Sequence, residues 1–304
     1  MGHSEHHHHG PSAQADRRYL WGALVLLLAF MAGEVVAALV SGSLALLSDA
    51  GHMLTDAGAL AGALWAMNLA VRPARGAMTY GWKRAEILAA LANGVTLLVV
   101  AVVVATEAVR RLVNPPEVTG VTVLVVAVIG IVVNIAATWL IARADRTSLN
   151  IRGAYQHVLT DLFGFIGTAV AGVIILATGW TRADPIASLV VVALMLRAGW
   201  GLTRDSGRVL LEAAPEELDL DAVRTHILGV EHVTAVHDLH AWTVTSNLPA
   251  VSAHLVIEDS CFADGHAHRI LDEVQECLQT HFSVGHTTFQ VEPSRHEATE
   301  HDCF

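Results

Sequence analysis

RGAYQHVLTDLFGFIGTAVAGVIILAT, residues 152–178, is an apolar run with a histidine and an aspartate in its first half, His157 and Asp161. A helix needs about 20 mostly apolar residues to cross a bilayer, and this run is long enough. An ionisable group at bilayer depth costs roughly 2.5–3.5 kcal/mol on insertion scales, so a pair there marks a site in use. Residues four apart share one helix face, one turn apart. The same His-x-x-x-Asp spacing recurs in LALLSDAGHMLTDAGALAGALWAMNLA (44–70), as His52 and Asp56. Two such helices side by side offer two imidazoles and two carboxylates, a set that zinc accepts in a tetrahedron. Asp49, three residues before His52, reaches the same face either as cavity electrostatics or as a solvated charge at the mouth.

The rest of the chain has the composition of a membrane protein. Of 304 residues 53% are hydrophobic and 15% charged, and the mean hydropathy is +0.49. Six stretches qualify as spans: 19–40, 44–70, 85–109, 119–142, 152–178 and 185–209. A polar leader with no small-residue cleavage site precedes the first, which therefore reads as a retained helix. Glu34 on the first span reads as a hydrogen-bonded packing residue. With the N-terminus inside, the inner segments carry twelve Lys and Arg and the outer loops three, Arg110, Arg111 and Arg182. That bias puts both termini in the cytoplasm.

The net charge of −11 is concentrated at the C-terminal end: from Glu212 to Phe304 there are 17 acidic and 3 basic residues. Eleven of the 18 histidines lie there too, and five in the first nine residues. Such a surface attracts cations and argues against nucleic acid or an anionic surface as a partner. Cys261, Cys277 and Cys303 all fall on the reducing side and are expected as thiols. The organisation is a His-containing tail (1–18), six spans (19–212), a small α+β domain (213–293) and a C-terminal tail (294–304). Within 213–293 the pattern predicts helix 216–228, strands 233–245 and 250–258, helix 265–282 and strand 287–292. A domain of about 80 residues is marginal alone, so dimerisation would help it. The leader MGHSEHHHHG reads either as a native cation-collecting tail or as an expression remnant.

The stretches SGSLALLSDAGHMLTD (41–56), YGWKRAEILAALANG (80–94), YQHVLTD (155–161) and HDLHAW (237–242) resemble the cation diffusion facilitator family, in its zinc-exporting branch. The resemblance runs over about residues 19–293. It implies an all-α six-helix transmembrane domain plus a small cytoplasmic α+β ferredoxin-like (αββαβ) domain, a homodimer, and exchange of a divalent metal for protons. It assigns the transport ligands to His52, Asp56, His157 and Asp161, and manganese-type members carry carboxylates in place of both histidines. Some bacterial members hold a further site between helices 2 and 3; RPARGAMTYG (72–81) has no ligand for one. The family's cytoplasmic binuclear site maps onto His237, His254 and a bridging His268. Its last strand reads Gln290 and Glu292, so one imidazole is missing unless His240, a tail residue or the N-terminal histidines replace it.

The chemistry agrees with transport. Imidazole and carboxylate hold zinc less tightly than thiolates, so metal can leave. Histidine must be neutral to bind, so protons compete with the metal. No Walker A loop appears, which leaves proton coupling as the drive. Asn93 and Asn134 are expected either in the same cavity or in interhelical hydrogen bonds. The expected function is export of Zn2+, with Cd2+ or Co2+ as further substrates, from the cytosol across a bacterial plasma membrane in exchange for H+. Zn2+ is also expected as a structural or regulatory ion, with no organic cofactor. A metal sensor signalling through the cytoplasmic domain is the alternative. An intramembrane zinc hydrolase comes third and would need a general base; Met-Leu-Thr and Val-Leu-Thr inside the two pairs supply none.

Overall fold

The computed structural model describes residues 13–41, 44–114, 120–144, 148–246 and 248–297. The leader histidines and His301 and Cys303 of the tail lie outside the described residues. The chain divides into two compact units, Met1–Ser206 and Gly207–Phe304.

Six long helices are present among the described residues: α1 (Ala13–Ser41), α2 (Leu44–Ala70), α3 (Ala85–Val113), α4 (Gly120–Ile141), α5 (Leu149–Thr178) and α6 (Ala183–Leu210). Five of them, all but α2, are long and apolar enough to cross a membrane. α1 starts at Ala13, inside the stretch expected as a loose leader. Asp16 in its first turn faces the positive end of the helix dipole, which favours that earlier start. The outward faces are apolar: Val99, Val102 and Val103 of α3 are each more than half exposed. In water such faces would be polar, so they report a lipid surround.

Leu20, Leu24 and Leu27 of α1 pack with Leu60 and Leu64 of α2 and with α4 and α5 through Ile141 and Val158. On the other side Leu97 and Ala101 of α3 meet Val192 and Met195 of α6. α3 and α6 approach so closely that a Cβ on Gly199 would lie 2.9 Å from the Gly94 carbonyl oxygen. Small residues at such a crossing let the backbones touch where lipid supplies no hydrophobic drive. Polar side chains add ties: Asn150 Nδ2 of α5 donates to the Ala63 carbonyl of α2 at 2.9 Å. Arg152 pairs with Asp205 at 3.0 Å, joining α5 to α6. Asn134 donates to the Gly130 carbonyl of its own helix at 3.0 Å, a local bond and not the cavity-lining role weighed for it.

The second unit begins with α7 (Leu220–Leu228), four residues later than the pattern predicts. Asp219 caps it by accepting the amides of Asp221 and Ala222, which sets the start. Strands β1 (Val233–Thr243) and β2 (Pro249–Ile257) follow, then a short α8 (Ser260–Ala263), α9 (Ala267–Phe282), β3 (His286–Pro293) and α10 (Ser294–Glu297). β2 is central, antiparallel to β1 and parallel to β3. Val251, Ala253, Leu255 and Ile257 alternate onto the helix-covered face, where Val223, Ile227, Val274 and Leu278 meet them. α8 was not expected; it is too short for a periodic signal. β1 slips register between His237 and His240, with Asp238 in the left-handed region at φ 49°. Such a bulge re-aims the side chains beside it.

Candidate metal centres

α2 and α5 lie side by side and bring Asp56 to His157, 101 residues apart, with 2.8 Å between Oδ1 and Nε2. Asp161, one turn beyond His157, completes a group of three whose ligand atoms lie within 4.8 Å of one another. His52 stands one turn before Asp56 on α2; its side chain lies outside the described ones. His157 is 4% exposed, and its second ring nitrogen, Nδ1, is buried with no hydrogen-bond partner among the described residues. The group opens on a cavity of about 220 Å3 lined from four helices, with Met53, Val104, Thr160, Phe165 and Met195 among the lining residues. Apolar walls lower the local dielectric, which strengthens the pull of these polar groups on a charge inside the cavity. Asn93 is not among the lining residues; it is buried on α3, beside Gly153 of α5.

The two helices that carry Asp56 and His157 are also tied by Asn150, whose side chain donates to the Ala63 carbonyl across the α2–α5 contact. That residue was missed from the sequence because an asparagine near a helix start reads as a cap or turn residue. Thr160, also missed, lines the cavity while its hydroxyl bonds the Gln156 carbonyl of its own helix at 2.7 Å.

A second group forms on the sheet of the C-terminal unit, on the face away from α7 and α9. His237 of β1 and His254 of β2 are cross-strand partners, their rings 5.0 Å apart. Glu292 of β3 reaches both: Oε1 is 2.5 Å from His237 Nε2 and 3.6 Å from His254 Nδ1. Its carboxylate is only 2% exposed, a costly burial for an unpaired charge. His296 of α10, four residues on, brings Nε2 to 3.7 Å from Glu292 Oε2, and Gln290 lies 3.5 Å from the same oxygen. His240 turns to Asp238 at 2.9 Å. His268 is exposed on α9, and no metal-ligand group among the described residues includes it. Placed on the helix layer, it is separated from a cluster on the opposite face of the sheet. Among the described tail residues, His296 approaches the cluster.

Buried imidazole and carboxylate between apolar helices, with a compact α+β unit after them, define a membrane protein that handles cations. A model of the cation efflux transmembrane domain matches residues 20–211, and one of the cation efflux protein cytoplasmic domain matches residues 215–294. The chain belongs to the cation efflux (cation diffusion facilitator) family of transporters. It is 39% identical over 290 residues to a cadmium, cobalt and zinc/H(+)-K(+) antiporter of Bacillus subtilis (strain 168), covering 95% of this chain and 93% of that protein. It is 39% identical over 297 residues to the zinc transporter ZitB of Escherichia coli (strain K12), covering 96% and 93%. The metal cation efflux system protein CzcD of Cupriavidus metallidurans is 38% identical over 291 residues, covering 96% and 90%.

Proposed function

We propose that this chain exports Zn2+ from the cytosol in exchange for protons, with Cd2+ and Co2+ as further substrates. One observation carries the reading: His157 and Asp56 face each other at 2.8 Å inside an apolar cavity. Without metal that gap is bridged by a proton. With metal the same two atoms turn to the ion, so proton and substrate compete for one place. His52, Asp56, His157 and Asp161 make the transport site, and the two imidazoles favour zinc over oxygen-preferring ions such as manganese. The relatives named for zinc, cadmium and cobalt support that range of substrates.

In this reading α2 is the sixth span, interrupted in hydropathy because it carries half the site. The bias of twelve inner against three outer Lys and Arg supports cytoplasmic termini, and the bacterial relatives support a plasma-membrane location. The domain bounds are 1–18, 19–212, 213–293 and 294–304. Residues 213–293 form a ferredoxin-like αββαβ domain through which two chains pair. His237, His254 and Glu292 bind a regulatory Zn2+ there, and His296 supplies the imidazole that Gln290 lacks. His268 stands outside that shell within one chain. The test is flux into proteoliposomes holding the purified protein, with zinc, cadmium, cobalt and manganese each offered under a pH gradient. Zinc uptake that collapses with the gradient is expected; no metal movement would leave the sensor and hydrolase readings.

A further inference from the structure

His232, Glu258 and Cys261 place a nitrogen, a carboxylate oxygen and a sulfur within 4.8 Å of one another, apart from both groups described above. His232 sits in the loop from α7 to β1, Glu258 follows the last residue of β2, and Cys261 lies in α8. We infer that these three residues bind a thiophilic divalent cation, of the zinc, cadmium or cobalt class, as a resident ion of the C-terminal domain.

The backbone holds the three in one frame. The Glu258 amide donates to the His232 carbonyl at 3.1 Å, the Cys261 amide to the Glu258 carbonyl at 3.0 Å, and the His266 amide to the Cys261 carbonyl at 2.9 Å. His232 Nδ1 already lies 3.2 Å from Glu258 Oε2. Zinc–sulfur and zinc–nitrogen bonds of about 2.3 and 2.0 Å put shell atoms roughly 3.3–3.8 Å apart, so closure needs a shift of about 1 Å. Cys261 is 3% exposed, at the edge where the domain core meets His232 and Glu258, which are half open to solvent. The fourth position is therefore free for water.

A surface ion pair accounts for His232 with Glu258, and apolar packing accounts for Cys261. Neither accounts for the convergence of all three on one point, with His232 held at φ 69°. A non-glycine residue in that region carries a backbone cost, and such costs gather at binding sites. On binding, the S–H bond gives way to a sulfur–metal bond and the proton goes to solvent. The ion then pins α8 to the start of the β1–β2 ladder. Thiolate, imidazole and carboxylate together suit borderline-soft ions and exclude magnesium and calcium.

The test uses full-length protein in detergent with Cys277→Ser and Cys303→Ser, which leaves Cys261 as the single thiol, and Co2+ as the probe. The expected result is a near-ultraviolet thiolate-to-cobalt charge-transfer band that saturates at one cobalt per chain and is bleached by Zn2+. Adding His232→Ala, an exposed change that spares the core, should abolish the band at the same cobalt concentration with unchanged circular dichroism. The other two groups contain no sulfur, so cobalt bound there gives no such band, and the result is independent of the transport reading. Absence of the band, or a band unaltered by both His232→Ala and Glu258→Gln, overturns the inference. The same single substitutions in the otherwise native chain give the answer should the serine pair fold poorly.

Discussion

Asp56→Asn changes the charge of the proposed transport site and almost nothing else. Asparagine has the volume of aspartate and keeps a carbonyl oxygen where Asp56 Oδ1 lies, 2.8 Å from His157 Nε2. The α2–α5 contact also keeps its separate tie through Asn150 and Ala63, so the fold should survive. What disappears is a full negative charge, on a side chain 15% exposed, from the site proposed to hold a divalent ion. Two unit charges about 4 Å apart interact by about 4 kcal/mol at an effective dielectric of about 20. A doubly charged ion doubles that, and the desolvation cost of the carboxylate offsets much of it, leaving a net of about 3 kcal/mol. At about 1.4 kcal/mol per factor of ten, zinc affinity falls on the order of 100-fold. The assay is the initial rate of zinc uptake into proteoliposomes across a range of zinc concentrations, at a fixed pH gradient. Half-saturation should rise by that factor, with uptake near background at the wild-type half-saturating concentration and an unchanged elution volume for the assembly. Wild-type rate and half-saturation in a folded Asp56→Asn protein would refute the assignment.

Four further outcomes are expected. Asp161→Ala should abolish zinc flux outright, because it removes a ligand without leaving a substitute donor; retained flux in the folded variant would exclude Asp161 as a ligand. His52→Asp hardens the site toward oxygen-preferring ions, so the ratio of manganese to zinc flux should rise; an unchanged ratio counts against His52. Gly199→Val drives a side chain into the Gly94 carbonyl, where even a Cβ would lie at 2.9 Å. Overpacking of that kind costs about 1–3 kcal/mol and should lower the melting temperature in detergent; a melting temperature equal to wild type would mean that α3 and α6 do not approach this closely. Burial raises the Cys277 thiol above its ordinary range. Its thiolate forms only as the pH climbs past that of a free thiol, so iodoacetamide should label it more slowly at about pH 8; labelling as fast as a free cysteine would contradict the burial.

The duplicated His-x-x-x-Asp was legible without a structure because four-residue spacing on a helix is a local matter: 3.6 residues per turn puts both side chains on one face whatever the helix packs against. Span lengths and inside–outside charge bias are equally local, being set by bilayer thickness and by short loops. The αββαβ order of the C-terminal unit was legible from hydrophobic period, although Asp219 moved the start of α7 and α8 escaped notice. The partnering of Asp56 with His157 was decided only in three dimensions, since it depends on how α2 and α5 are rotated about their axes. The same holds for Asn134, which turned to its own helix. Strand register and the bulge at Asp238 decided that His237, His254 and Glu292 share one face while His268 stays with the helix layer. The approach of His296 to Glu292 and the meeting of His232, Glu258 and Cys261 were likewise tertiary. A one-residue slip in a strand sends every side chain to the other face, and no pattern along the chain records which slip the packed domain adopts.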